Sequence, residues 1–184
     1  MSHVDRDRIH LDVKIYDGRM TAHDEVDRLI AAWRRERPDA PVAPMAVLSR
    51  VSRLGMHLDR ARRAAFAAHG LEPWEFDVLS ALRRSGKPYE LSPGRLVTET
   101  MVTSGTMTNR VDRLTRRGLV ERLADPSDRR GVIVRLTSAG ERAVDGALDA
   151  LLSYENEVLA EMNELEVTQL ADALRALTVQ FEKD

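Results

Sequence analysis

Between Thr103 and Arg117 the chain reads TSGTMTNRVDRLTRR, where hydroxyls, one amide and arginines recur among three spaced apolar residues. Ser104, Thr106, Thr108 and Asn109 carry short polar groups of the kind that reach base edges and phosphates. Arg113 and Arg116 present donor forks that match guanine edges or phosphate oxygens. A helix beginning at this point adds its own preference for phosphate at its N-terminus. Further on, ADPSDRRG places Arg129 and Arg130 at a turn, from which two guanidiniums can enter a narrow minor groove. Asp125 and Asp128 beside them suit the orienting of those arginines by charge-assisted hydrogen bonds. This is the chemistry of holding a polyanion, with no bond made or broken.

Other chemistries find few residues to work with. There is no cysteine, which excludes disulfides, thiol catalysis, thiol redox sensing and Cys-based zinc sites. His3, His10, His23, His57 and His69 have no close metal-ligand spacing, and neither a glycine-rich phosphate loop nor a Glu-x-x-His pair occurs. No catalytic residue, metal or cofactor is therefore expected. No apolar run reaches the length of a membrane span, and the first 20 residues carry charges throughout, unlike an export signal. The expected compartment is the cytoplasm. Net charge is −2, but it is unevenly spread. Residues 83–135 hold 12 Lys/Arg against 6 Asp/Glu, whereas residues 136–184 hold 3 against 11. A basic middle before an acidic tail points to a polyanion-binding module in the middle.

The elements that must position these residues follow from periodicity and caps. Residues 1–22 read as an N-terminal arm, with Ile9, Leu11, Val13 and Ile15 alternating as in a short strand. Residues 23–38 read as a helix, with Val26, Leu29, Ile30 and Trp33 on one face before PDAPVAP breaks it. A long helix is predicted over 44–70, with a stripe of Val47, Val51, Leu54 and Leu58 and Gly70 as its stop. In the lobe over 71–137, Pro73 opens a helix that buries Phe76, Leu79 and Leu82. Ser92 caps a short helix, and Thr103 or Ser104 caps the next. That second helix buries Met107, Val111 and Leu114, at i, i+4 and i+7, and turns its polar residues outward. LVERL and VIVRL around a polar loop form a hairpin. Residues 138–184 hold two more helices, the first capped by Thr137 or Ser138 and the last carrying Leu170, Leu174, Leu177 and Phe181. Helix–turn–helix followed at once by a hairpin is the winged-helix order. The fold class is thus mainly α with a small β-wing.

The stretch LVERLADPSDRRGVIVRLTSAG resembles the wing and following helix cap of the MarR family of bacterial transcription regulators. LSPGRLVTETMVTSGTMTNRVDRLTRRG is similar to that family's helix–turn–helix, and GLEPWEFDVLSALRRSG to the helix before it. The resemblance covers roughly residues 44–181. It implies a homodimer knitted by N- and C-terminal helices, with no membrane association, bound to double-stranded DNA at a pseudopalindromic operator. The extra helix with Trp33 resembles the urate-responsive subgroup, whose implied ligand is a small anion. Carried over residue by residue, the ligand set is Trp33, Asp77, Arg84 and Arg122, with Arg110 coupling ligand to DNA. Such a protein is a regulator, expected to repress. Another organic or phenolic acid could take the place of urate, and a sequence-nonspecific nucleoid-type binder is the alternative from a different class.

Two kinds of contact are separable by mutation. Arg130→Ala is expected to weaken binding most at sites with A·T-rich flanks, whereas Asn109→Ala or Thr108→Ala should relax base preference and cost about 1–3 kcal/mol. Gel-shift titrations on sequence-varied duplexes distinguish the two, and unchanged affinity in both would refute this placement.

Overall fold

The computed structural model describes residues 23–126, 128 and 131–182; the N-terminal arm read over 1–22, with its strand-like alternation, lies outside them. Two compact units meet within one helix, after Asp59. In the first, α1 (Glu25–Glu36) starts where expected because Asp24 and Asp27 form a reciprocal capping box, each carboxylate accepting the other's backbone N–H at 3.0 Å. Val26 and Ile30 are its buried residues, while Trp33 remains 46% exposed. Arg50, on α2 (Met45–Ala68), donates to Asp24 and Asp27 at 2.8–2.9 Å, and Arg53 donates to Glu25 at 2.5 Å. The Arg50 hydrogen bond holds the Asp24 carboxyl below the usual carboxylate range.

The second unit contains α3 (Pro73–Arg84), β1 (Glu90–Leu91), α4 (Pro93–Thr100), α5 (Ser104–Arg116), β2 (Val120–Ala124), β3 (Val132–Leu136), α6 (Ser138–Leu159) and α7 (Glu164–Thr178). A single 3-10 turn, Val179–Phe181, follows, so Phe181 falls just beyond α7. Ser92, Thr103 and Thr137 each accept a backbone N–H of the following first turn, which is why α4, α5 and α6 begin at these residues. The strands form one antiparallel sheet in the order β1-β3-β2. The hairpin pairs Val120 with Leu136 at its base and Ala124 with Val132 near its tip. The short β1 strand, which periodicity does not reveal, pairs Leu91 with Val134.

One core holds the unit together. Phe76, Leu79 and Leu82 of α3 are buried with Leu96 of α4, the Met107, Val111 and Leu114 stripe of α5, and Val134 of β3. Phe66, near the end of α2, stacks on Phe76 with ring centroids 4.0 Å apart. Gly118 ends α5 with a φ of +68°, which lets Leu119 N–H reach the Leu114 carbonyl at 3.0 Å. Other apolar stripes remain open among the described residues. Val47, Val51 and Leu54 on α2 are each over 40% exposed, Leu148 and Leu152 on α6 lie near that level, and α7 has no buried residue.

The start of α6 sits directly on the base of the hairpin. Thr137 donates its hydroxyl to the Gly118 carbonyl at 2.7 Å and its N–H to the Leu119 carbonyl at 3.1 Å. A Cβ on Gly140 would lie 2.1 Å from the Leu119 carbonyl oxygen, so only glycine fits. Gly140→Ala is expected to destabilise the chain by about 1–3 kcal/mol, the usual cost of overpacking. Thermal unfolding measures it, and an unaltered Tm would show that the helix has room to shift.

Candidate nucleic-acid interface

Burial of the Met107, Val111 and Leu114 stripe decides which residues of α5 face outward. Ser104, Thr106, Thr108, Asn109, Arg113 and Arg116 are all exposed, so the structure brings the expected helical set onto one accessible surface. At its N-terminal end the Thr103 and Thr106 hydroxyls lie 2.9 Å apart, and Thr108 donates to the Ser104 carbonyl at 3.1 Å. Asn109 has no such intrahelical bond and keeps its amide available. Arg116 lies along the helix, its Nε 3.4 Å from the Asp112 carbonyl.

The hairpin approaches its tip through Asp125, whose N–H donates to the Gly131 carbonyl at 3.0 Å, while Gly131 N–H donates to Asp128 at 2.8 Å. A Cβ on Gly131 would fall 2.7 Å from that of Asp125. Both aspartates therefore lie close against Gly131. Arg129 and Arg130 themselves lie outside the described residues.

The other arginines of this unit divide by partner. Arg83 is held by both oxygens of Asp145 at 2.9 and 3.0 Å and donates to Tyr89 Oη at 2.7 Å; the Asp145 bonds raise its pKa further. Arg135 pairs with Glu90, joining β3 to β1. Arg117, just past α5, pairs with Glu75 of α3 and donates to the Gly70 carbonyl at 2.7 Å. Glu75 is 1% exposed, and its other contact is the Glu72 N–H at 3.0 Å. These pairs brace the fold. Arg110 and Arg113 differ: among the described residues no carboxylate reaches either, and both guanidiniums lie over the Trp74 ring, at 5.5 and 4.6 Å from its centroid.

The expected ligand residues are more scattered in their bonding. Asp77 and Arg84 are both exposed on α3, with Arg84 donating to Ser80 Oγ at 3.0 Å. No guanidinium among the described residues lies within ion-pair distance of Asp77. Arg122 of β2 is already paired with Asp112 of α5 at 2.7 Å. Arg110 rests on Trp74 and is not ion-paired with Asp77. Trp33 belongs to the other compact unit. Sequence reasoning missed Trp74 and Glu75 as partners of α5; the one available signal was a carboxylate set inside the apolar pattern PWEFDVL.

A sequence profile described as the MarR family matches residues 69–131, from the end of α2 through the hairpin tip. The HTH-type transcriptional regulator PecS of Dickeya dadantii (strain 3937) is 37% identical over 164 residues, covering 89% of this chain and 96% of PecS. The chain belongs to the MarR family. Its α3–α4–α5 and hairpin are thus a MarR-type winged helix, and the protein is a DNA-binding transcription regulator, not an enzyme. A MarR-family protein from Bacillus stearothermophilus superposes with a TM-score of 0.65 at 27% identity, covering 75% of this chain and 95% of that one. The C80S mutant of MarR from E. coli, in complex with operator DNA, has the same fold, with a TM-score of 0.59 at 24% identity over 79% of this chain and 96% of its own. Among the described residues no helix is long and apolar enough to cross a membrane, and no cluster of His, Asp or Glu could hold a metal ion.

Breaking the Glu75 pair tests how the MarR-type lobe holds its helix. Arg117→Met strands a buried carboxylate and is expected to cost about 1–3 kcal/mol. Glu75→Gln with Arg117→Met should recover part of that loss. Urea unfolding of the single and double variants measures the difference, and equal losses in both would show that the unpaired Glu75 charge is not what the substitution costs.

Proposed function

We propose that this MarR-family regulator binds a pseudopalindromic operator as a homodimer and represses from it, releasing DNA when a small anion binds. The observation that carries this reading is the surface of α5, where exposed hydroxyls and Asn109 stand together with Arg110, Arg113 and Arg116, none of which has a carboxylate partner among the described residues. Arginines already neutralised by a carboxylate have little left to offer phosphate; these have their charge intact. A structural neighbour, the C80S mutant of E. coli MarR, is complexed with operator DNA, and a winged helix suits entry of α5 into the major groove with the hairpin toward the flanking minor groove.

Homodimer formation is supported by the apolar stripes left open on α2 and α6 and by an α7 that buries nothing of its own. Two copies would place paired α5 helices about one helical turn of DNA apart, some 34 Å. Residues 44–70 and 138–184 would then be dimerisation helices around a DNA-binding lobe over 71–137, with 23–38 an added helix. The acidic C-terminal segment suits a place away from phosphate.

For the ligand we favour a planar organic anion such as urate, taken by Trp33, Asp77, Arg84 and Arg122. An aromatic surface and guanidinium donors fit such an anion. The Arg122–Asp112 pair gives a concrete coupling route: an anion drawing Arg122 from Asp112 would withdraw a tie between β2 and α5. Negative charge arriving beside exposed Asp77 would add repulsion on α3, with Arg110 as the link into α5.

Footprinting on the DNA upstream of the protein's own gene, with and without urate, tests operator, symmetry and ligand together. The expected result is a two-fold symmetric protection that urate weakens, and an Asp77→Asn protein that no longer responds. Affinity that depends only on salt, with no preferred site, would identify the nonspecific binder instead. Normal urate response in Asp77→Asn would remove Asp77 from the relay.

A further inference from the structure

Trp74 is the second residue of α3, partly buried and packed on the core of the unit. Above its ring lie the guanidiniums of Arg113, at 4.6 Å, and Arg110, at 5.5 Å. The next residue, Glu75, takes Arg117. One turn of α3 thus engages three arginines that share a flank of the helix following the turn, since offsets of three and seven residues fall on one side. The two kinds of engagement differ in what they leave over. A carboxylate neutralises a guanidinium and consumes its donors. An aromatic face attracts the cation through the ring quadrupole while the in-plane N–H groups stay unspent.

We propose that Trp74 is a positioning residue for operator recognition, holding Arg113 and Arg110 in defined rotamers with their charge and donors available to DNA. This rests on the reading of α5 as the helix that enters the groove. Free arginine side chains lose considerable rotamer entropy when they bind, and a guanidinium already laid on an indole has surrendered part of it in advance. A fixed guanidinium also discriminates between bases, because a bidentate contact to guanine tolerates little angular freedom. Trp74 touches no DNA in this scheme; it acts through the two arginines.

The test compares operator and scrambled duplex for the full-length wild type, Trp74→Phe and Trp74→Leu across a salt series. Trp74→Leu keeps the apolar packing and every charge but loses the aromatic face. It is expected to bind operator about five- to tenfold more weakly. Binding to scrambled DNA and its dependence on salt should stay as in the wild type, because the number of phosphate contacts is unchanged. Trp74→Phe should restore most of the preference, which a purely structural role would not require. An operator-to-scrambled ratio in Trp74→Leu equal to that of the wild type, or an equal loss on both duplexes, would overturn the proposal while leaving operator binding intact. A wild type with no operator preference would sink the functional reading and this inference together. If Trp74→Leu does not fold, the contact is read directly in protein labelled with 5-fluorotryptophan. Its Trp74 fluorine resonance, assigned by its loss in Trp74→Phe, should shift in Arg113→Ala and again when operator binds. A resonance indifferent to both overturns the proposal.

Discussion

Everything that α5 presents to its surroundings depends on the burial of Met107, Val111 and Leu114. A helix is free to rotate about its own axis until one stripe is committed, and here the commitment is complete: all three side chains are buried against α3, α4 and the sheet. Each such side chain contributes roughly 1.5–3 kcal/mol on leaving water, enough together to hold one rotational setting against the alternatives. The outward placement of Asn109 and the neighbouring arginines is a consequence of that burial. Arg117 and Arg122 then secure the helix at its end and along its side through Glu75 and Asp112. Hydrophobic burial chooses the face, and ion pairs limit the remaining play.

Within this frame the arginines of the lobe are sorted by geometry into two kinds of work. Arg83, Arg117, Arg122 and Arg135 join one element to another through carboxylates and leave little net charge behind. Arg110 and Arg113 rest on an indole and keep theirs. Composition alone counts all of them equally in the basic middle of the chain. The structure shows that several of these cations are paired internally, and that Arg110 and Arg113, with no carboxylate partner among the described residues, lie on the helix suited to DNA.

The elements carrying the site were legible because their signals are local. Ser92, Thr103 and Thr137 announce helix starts within three residues, the 3.6-residue period marks the inner stripe of α5, and two β-rich runs around ADPSDRRG make a hairpin. What escaped notice is non-local or too short. β1 has two residues, and no periodicity can be read from two. Glu75 and Arg117 are 42 positions apart, with no local pattern linking them. Trp74 at the start of a helix looks like any half-buried aromatic until α5 is folded across it. Arg110, assigned from resemblance to ligand coupling, proves to have an aromatic partner that the resemblance did not include.

The fit of Gly140 against the Leu119 carbonyl gives the molecule a mechanical property. The 22-residue helix α6 reaches roughly 33 Å from its first turn, and that turn has no clearance from the root of the β-hairpin. Close-packed contacts of this kind shift as blocks rather than compress. The orientation of the rod and that of the β-hairpin root are therefore set together at Gly140.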